Sequence, residues 1–227
     1  MPPFDALPGR TRTASPTRPV KLSGETFAAL INLSGRRRFT SQRLVLYAVL
    51  AVRSGPDALT TSRDALRLFS EAHDILVNGN DSVPGVFCDA LDAVYFGSEN
   101  GDARIREFIV LAQRALDAIE QGLPGGPALV EQLVDMATPL LALLNRITQV
   151  YEELSKQHAM RVRKQLVGIM SDIESIAKQA RMVAFNAQIV AARAGNAGKE
   201  FSVVAGVLSD ITGEIDTLVK EAMNDSV

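Results

Sequence analysis

The sequence predicts an all-α, dimeric protein in which an antiparallel four-helix bundle continues into a C-terminal antiparallel coiled-coil hairpin. Three observations predict this fold class. Apolar residues recur at helical spacing from about residue 25 onward, and helix breakers are confined to short connections. No segment shows the alternation expected of a strand. Aromatic residues make up only 5% of the chain and there is no Trp, whereas alanine and leucine are abundant, which favours helix packing.

The expected helices follow one another in the order in which breakers divide the chain. Gly55 and Pro56 end the first helix, "NGND" ends the second, and "GLPGGP" separates the third long helix from the fourth. Pro139 is expected to kink the fourth helix or to end a turn there. The long helices are predicted over about 25–53, 57–77, 102–121, 128–195 and 199–224, with a short helix between loops in the stretch 82–102.

These elements group into three segments. Residues 1–24 are rich in Pro, Arg and Thr and are expected to be a disordered tail. Residues 25–155 supply the four helices of the bundle, because long helices joined by short loops pack as antiparallel neighbours. Residues 156–227 form the hairpin, into which the fourth helix extends.

Composition and charge exclude several function classes. The net charge of −2 gives no electrostatic case for binding nucleic acid or an acidic membrane. The single cysteine rules out an intramolecular disulfide framework. No run of about 18 uncharged apolar residues occurs, and the first 24 residues contain no hydrophobic signal region. We therefore expect no membrane span and a cytoplasmic location.

Chemistry-bearing residues do not form a catalytic or metal-binding set in the sequence. His73 and His158 have no acidic or cysteine cluster at metal-ligand spacing, and we interpret both as helix-surface residues. Cys88 has no basic neighbour in sequence that would activate it, so it is assigned to the core or to a loop. No nucleophile, base and orienting group can be argued together. We expect neither enzymatic activity nor a cofactor or metal.

The two limbs of the hairpin carry complementary heptad seams. The outgoing limb places small residues at alternating steps of four and three, and the returning limb places large residues at steps of three and four. In the predicted register each small residue faces a large one, which keeps the volume of each layer roughly constant. The predicted pairs are Ala194 with Phe201, Ala191 with Val204, Ala187 with Leu208, Ala184 with Ile211, and Ala180 with Ile215.

A second apolar stripe lies on the outgoing limb. Ile169, Ile176, Val183 and Val190 recur every seven residues, and a lone hairpin would leave them in water. Two hairpins packed together would bury them in a four-helix arrangement, so the stripe predicts a homodimer. The alternative is that the N-terminal bundle folds back over the stripe.

Residues 176–211, "IAKQARMVAFNAQIVAARAGNAGKEFSVVAGVLSDI", resemble the cytoplasmic hairpin tip of bacterial methyl-accepting chemoreceptors. Asn186, Arg193 and Phe201 match the family pattern within and just after the core "NAxIxAARAG". The resemblance implies a signalling module that contacts a histidine kinase and its coupling protein. Val190 and Asn196 stand where the family usually carries acidic residues. These two positions, with Asn186, Arg193 and Phe201, define the expected signalling tip.

Three consecutive arginines interrupt the apolar pattern of the first helix. Arg38 lies at the centre of a three-four seam, with Ser34 and Ser41 one turn away on either side, and Arg37 lies on a neighbouring seam. Arg36 lies on neither seam. One reading is that the arginines extend to solvent from a helix edge. The other is that Arg38 meets its own copy at a twofold interface, where an anion between the two guanidinium groups would offset their repulsion.

The same stretch, "INLSGRRRFTSQRL", resembles the signature of the type IV pilus chemotaxis transducer-type (PilJ-type) sensor domain, which nitrate/nitrite sensor kinases share. The resemblance implies a dimeric four-helix bundle over residues 25–155 that binds nitrate or nitrite through the arginine corresponding to Arg38. We assign Ser34, Ser41 and Arg37 as further ligand-binding candidates. The matching positions are Ile31, Asn32, Ser34, Gly35, Arg38, Ser41, Arg43 and Leu44.

Together these features predict a soluble signalling protein that senses a small oxyanion, nitrate or nitrite, and relays its binding through a shortened chemoreceptor-like tip. Two alternatives remain open at this point. One is a ligand-independent adaptor that joins or disrupts chemoreceptor arrays, and the other is a structural dimerisation module. Co-purification of a kinase or coupling protein separates the adaptor from the structural module, and stabilisation by a ligand separates the sensor from the adaptor.

Overall fold

A computed structural model describes residues 22–54 and 56–225 of the protein. Within these residues the chain is helical with short connections and contains no strand, which confirms the all-α class. Most of the predicted N-terminal tail, residues 1–21, lies outside the described part. The helices are α1 (Gly24–Ser54), α2 (Pro56–Asn78), α3 (Asp89–Phe96), α4 (Gly101–Glu120), α5 (Gly126–Arg193) and α6 (Lys199–Asp225).

Local sequence explains where the helices begin and end. The Ser23 hydroxyl accepts a hydrogen bond from the backbone N–H of Thr26 and so caps the start of α1. Pro56 stands at the first position of α2, where its missing N–H costs nothing. Gly195, with a φ of 61°, stands two residues after the end of α5 and begins a 3₁₀ turn, Gly195–Gly198, that leads to α6. Helix α5 continues through Pro139 instead of ending there.

The chain divides into two compact units, the first extending to Lys156 and the second beginning at Gln157. In the first unit α1 packs against α2, and α2 and α3 both pack against α4. The N-terminal part of α5 contacts α1 through a 2.8 Å hydrogen bond between Ser34 and Thr148. The core of this unit is built from large side chains, among them Leu30, Leu44, Phe69, Leu76, Tyr95, Ile105, Phe108, Leu116, Leu133, Leu144 and Tyr151.

The second unit, the hairpin, buries a different class of residue. The remainder of α5 buries alanines spaced seven apart, and α6 buries residues spaced by the same interval. A Cβ placed on Gly198 would collide with the backbone of Ala191, so the chain passes closely over the end of α5 at the turn. Close approach of this kind is possible only where side chains are small. The buried residues are Ala177, Ala184, Ala191, Gly198, Ala205, Thr212 and Val219.

The predicted register of the returning limb was wrong. Phe201, Val204, Leu208 and Ile211, which were expected to face the outgoing limb, are exposed. The buried positions of α6 lie one residue later than predicted, which turns the inner face by about 100°. The outgoing seam was read correctly at Ala177, Ala184 and Ala191. The hairpin therefore joins small residues to small residues and leaves its large apolar residues outside.

Helix α5 also contains an apolar stretch that meets the length and composition of a membrane span. An 18-residue window within it has a mean hydropathy of 1.3, at most two charged residues and only 28% of its residues buried, whereas the sequence predicted no membrane span. Core helices of soluble proteins pass the same test. Leu133, Leu140, Leu144 and Ile147 of this helix are buried in the core of the first unit.

Candidate functional site

The two inner arginines of α1 have different surroundings. Arg37 is fully buried, whereas Arg38 is half-buried and donates a 3.1 Å hydrogen bond from Nη1 to Oδ1 of Asn145 on α5. Arg36 is exposed, as its place off both seams suggested. The structure thus separates Arg38, which keeps part of its surface open to solvent, from Arg37, which belongs to the interior.

Both serines that flank Arg38 are buried, and both hydroxyl protons are engaged. Thr148 donates to the backbone carbonyl of Leu144 at 2.8 Å, so in its 2.8 Å contact with Ser34 the serine is the donor. Ser41 donates to the backbone carbonyl of Arg38, also at 2.8 Å. An anion bound at Arg38 would therefore accept hydrogen bonds from the remaining guanidinium N–H groups. A serine hydroxyl could donate to it only by giving up its present hydrogen bond.

Arg37 begins a chain of polar contacts through the middle of the first unit. Its Nη1 lies 3.1 Å from Nδ1 of His73, and Nε2 of His73 lies 3.1 Å from Oδ1 of Asp102. Asp102 in turn accepts hydrogen bonds from Nε of Arg106 at 3.0 and 3.1 Å. We call these four residues the buried relay. It links α1, α2 and α4, and it contains one arginine and one histidine with no exposed surface.

The interpretation of His73 as a helix-surface residue was therefore wrong. His73 is fully buried, and a usable signal was present in the sequence. Leu66, Phe69, His73 and Leu76 follow one three-four seam of α2, and the other three are core residues. Asp102 likewise stands on a three-four seam of α4, with the core residues Ile105 and Ala112, but it lies in the first turn, where an acidic residue is usual at the surface.

The environment of the relay shifts the pKa of two of its members. Burial, reinforced by the charge of Arg37 and only partly opposed by Asp102, lowers the pKa of His73. Burial by itself would raise the pKa of Asp102, but the hydrogen bonds from His73 and Arg106 outweigh it and lower that pKa to about 2. At neutral pH the centre of the relay is therefore a neutral imidazole between a cation and an anion.

Two buried tyrosines border the relay. The guanidinium carbon of Arg37 lies 5.7 Å from the ring centre of Tyr95, which is within the range of a cation–π interaction. The hydroxyl of Tyr95 lies 3.3 Å from that of Tyr151 on α5, and burial raises the pKa of Tyr151. Nε of Arg37 has no hydrogen-bond partner among the described residues. No carboxylate contacts Arg37 directly among the contacts described above. The face of the Tyr95 ring therefore provides part of the electrostatic stabilisation of its charge.

The predicted signalling-tip residues lie where α5 ends and α6 begins. Asn186, Val190, Arg193, Asn196 and Phe201 are all exposed. The predicted dimer stripe is exposed as well: Ile176, Val183 and Val190 each leave about 60% of their surface in water, and Ile169 somewhat less. Helix α6 carries a matching stripe with the same interval of seven, formed by Val204, Ile211 and Leu218. The hairpin surface thus presents two apolar stripes and the tip residues together.

Comparison with known proteins identifies the C-terminal part of the chain. Residues 129–226 match the signalling domain of methyl-accepting chemotaxis proteins. The match includes all of α6 and all of α5 except its first three residues, and so begins inside the first unit. No curated protein and no solved structure matches the chain. The family match supports a chemoreceptor-like role in signal transduction and confirms that part of the resemblance.

Proposed function

We propose that the protein is a cytoplasmic, non-enzymatic signal-transduction protein that works as a homodimer. Its hairpin reports to a chemotaxis histidine kinase and coupling protein, and its first unit, an antiparallel four-helix bundle, senses a small oxyanion. The observation that carries the signalling role is the match of residues 129–226 to the chemotaxis signalling domain. Signalling domains of that family dimerise and contact such a kinase and coupling protein.

The exposed stripes of the hairpin support the dimer. Four large residues on α5 and three on α6 repeat every seven positions and remain in water in the single chain. A second hairpin would cover both stripes with side chains of the same kind, because an identical copy presents the same spacing. Burial of apolar surface at about 25 cal/mol per Å² would provide the driving force.

The sensing role rests on Arg38. This arginine is half-buried on α1 and is positioned by its hydrogen bond to Asn145. A guanidinium held in place offers a planar oxyanion two parallel donors, and one bond to Asn145 leaves such a pair of N–H groups. Nitrate and nitrite fit this geometry, and the resemblance of residues 31–44 to the nitrate-sensor signature points to the same ligands.

Ligand binding is tested by thermal unfolding and isothermal titration of the full chain. Nitrate or nitrite should raise the melting temperature while an equal concentration of chloride does not, because a ligand at a hundred times its dissociation constant stabilises by about 2.7 kcal/mol. Arg38→Ala should abolish the effect and Arg36→Ala should keep it. Absence of heat with both anions, or equal binding by the Arg38→Ala protein, would remove the sensing role.

A ligand-independent adaptor is the second candidate, and the exposed position of the tip residues supports it. Val190 and Asn196 replace the acidic residues that the family usually carries, and both are exposed where a partner would meet them. Coupling should therefore be weak in the native protein and stronger in Val190→Glu with Asn196→Glu. A pull-down with a cognate coupling protein measures this. Tight binding by the native protein, with no response to any anion, would favour the adaptor over the sensor.

A further inference from the structure

The buried relay determines which nitrogen of His73 carries its proton. A guanidinium can only donate hydrogen bonds, so Nδ1 of His73, 3.1 Å from Nη1 of Arg37, must offer its lone pair. The proton of the neutral ring therefore lies on Nε2, which donates to Oδ1 of Asp102 at 3.1 Å. Both ring nitrogens are engaged, and their roles are set by partners on two different helices. Only the neutral ring with its proton on Nε2 satisfies both hydrogen bonds of His73.

The charged and titratable groups around His73 come from three neighbouring helices. Arg37 approaches from α1, Asp102 and Arg106 approach from α4, and the ring of Tyr95 on α3 lies with its centre 6.2 Å from that of the imidazole. Asp74, the next residue along α2, is 3.4 Å from Nη1 of Arg106. Asp102 is the one carboxylate in direct contact with the ring among these groups, and it is already shared with Arg106.

A second proton on His73 would reverse one of its contacts. Nδ1 would become a donor and would point its N–H at the donating Nη1 of Arg37, so that hydrogen bond would be lost. Two cations would then face each other where neither has exposed surface, and water could not screen them. The bond to Asp102 would strengthen, but that carboxylate already binds Arg106 and its charge is partly compensated.

We propose that His73 is a proton-operated switch that holds α1 against α2 when neutral and releases Arg37 from the interior when protonated. At neutral pH, Nδ1 of His73 accepts a hydrogen bond from the fully buried Arg37. At acidic pH this nitrogen is protonated and can no longer accept. Because Arg37 and the half-buried Arg38 are consecutive on α1, the movement would reach the face of the helix that carries Arg38. The switch does not require an anion ligand, and it adds a response to acid to the proposed signalling role.

The direction of the pH effect follows from linkage. The folded state lowers the pKa of His73 below its ordinary value of 6.5, so the unfolded chain binds the proton more readily. Stability from this residue is complete above about pH 6.5 and is lost as the pH falls toward the folded pKa. One proton changes the unfolding equilibrium constant by up to about tenfold per pH unit in that interval.

The protonation state can be read directly because the chain has only two histidines. In the His158→Gln protein, nitrogen-resolved NMR of the full chain reports His73 alone. We expect the Nε2–H form at pH 7.5, a titration midpoint below 6.5, and a change in the amide signals around Arg37 across the same transition. An Nδ1–H form, or a midpoint at or above 6.5, would overturn the proposal.

Unfolding measurements provide the second test. Between pH 7.5 and 5, native protein and His158→Gln should lose stability to the same extent, whereas His73→Gln should lose it more weakly. Glutamine can accept from Arg37 and donate to Asp102 without gaining a charge, which makes it the matched replacement. An unchanged pH dependence in His73→Gln would contradict the switch. Should that variant not fold, the NMR titration of His158→Gln decides by itself.

Discussion

The first unit and the hairpin are both helical, but they bury opposite kinds of residue. The first unit encloses phenylalanine, tyrosine and leucine side chains, and even a complete arginine, within its own helices. The hairpin encloses mainly alanines and leaves most of its isoleucines, valines and leucines exposed, with Val219 as a buried exception. The first unit therefore builds its core from its own helices, whereas the hairpin leaves most of its apolar surface exposed to water.

That difference in buried residues indicates that the two regions have different roles. A unit with a complete core can hold a polar network in a defined geometry, because the surrounding packing keeps each donor and acceptor in place. A hairpin joined by small residues has a narrow internal contact and a wide apolar exterior, which suits association with other helices. The family match to a chemotaxis signalling domain covers this hairpin and supports a role in signal transduction. Four pairs of substitutions test this difference between the two regions.

The largest effect is expected when a phenylalanine is replaced by alanine, once in the first unit and once in the hairpin. Phe69 is fully buried and lies edge-on to Phe108, with ring centres 5.6 Å apart, so Phe69→Ala should cost about 3–5 kcal/mol of unfolding free energy. Phe185→Ala removes an equally large ring from an exposed position of α5 and should cost less than about 1 kcal/mol. Urea unfolding followed by circular dichroism compares the two. Equal losses would show that the regions are not built differently.

The second effect concerns association of the hairpin. Ile176→Glu places a charge in the exposed stripe and should raise the dissociation constant of the dimer at least 100-fold, about 2.7 kcal/mol. Ser175→Glu introduces the same charge one residue away, off the stripe, and should leave the dimer intact. Light scattering after size-exclusion chromatography over a dilution series measures both. A dimer that survives Ile176→Glu would remove the stripe from the interface.

The third prediction concerns acid unfolding of the first unit. Asp102 has its pKa lowered from 3.8 to about 2, so it stabilises the folded state above pH 3.8 by about 2 kcal/mol and loses that contribution as the pH falls toward 2. Asp102→Asn should remove this part of the pH dependence and lower stability at neutral pH. Urea midpoints from pH 5 to pH 2 measure it. Asp64→Asn, at an exposed position of α2, is the control, and identical profiles for the two variants would contradict the assignment.

The smallest effect is expected from adding volume to the hairpin. Ala184 is fully buried where the limbs approach, so Ala184→Leu should destabilise the hairpin by at least about 1 kcal/mol. Val183→Leu adds volume at the neighbouring, exposed position and should be close to neutral for the single chain. Thermal unfolding and amide hydrogen exchange on α6 measure the difference. A reversed order would restore the register with large residues inside.

Sequence patterns predicted the helices well because their determinants are local. Breakers such as Pro56 and the glycines after α4 and α5 stand within a residue or two of the observed ends. The spacing of alanines on α5 also identified its inner face correctly, at Ala177, Ala184 and Ala191. The assignments of Arg38, Ser34 and Ser41 to a ligand and of Asn186 and Arg193 to signalling remain predictions.

The register of α6 could not be predicted from spacing alone. Its large residues form a heptad seam that is just as regular as the small-residue seam one position later, and both satisfy a three-four pattern. The choice depends on what lies opposite. Against a limb of alanines, a small face allows the closest helix approach and turns the large face outward. The rule that large residues face inward therefore fails for α6 in the single chain.

From the amino-acid sequence it was possible to predict the helical class, the limits of the helices, the outward stripe of Ile176 and Val183, and the resemblance that the family match supports over the hairpin. Each of these depends on residues close together in the chain. The packing of the helices was needed to show that Arg37 is buried, that it donates a hydrogen bond to His73, and that Asp102 accepts one from His73. These residues lie 36 and 29 positions apart on three helices, and a single buried charge is tolerated only where packing brings such partners within hydrogen-bond distance.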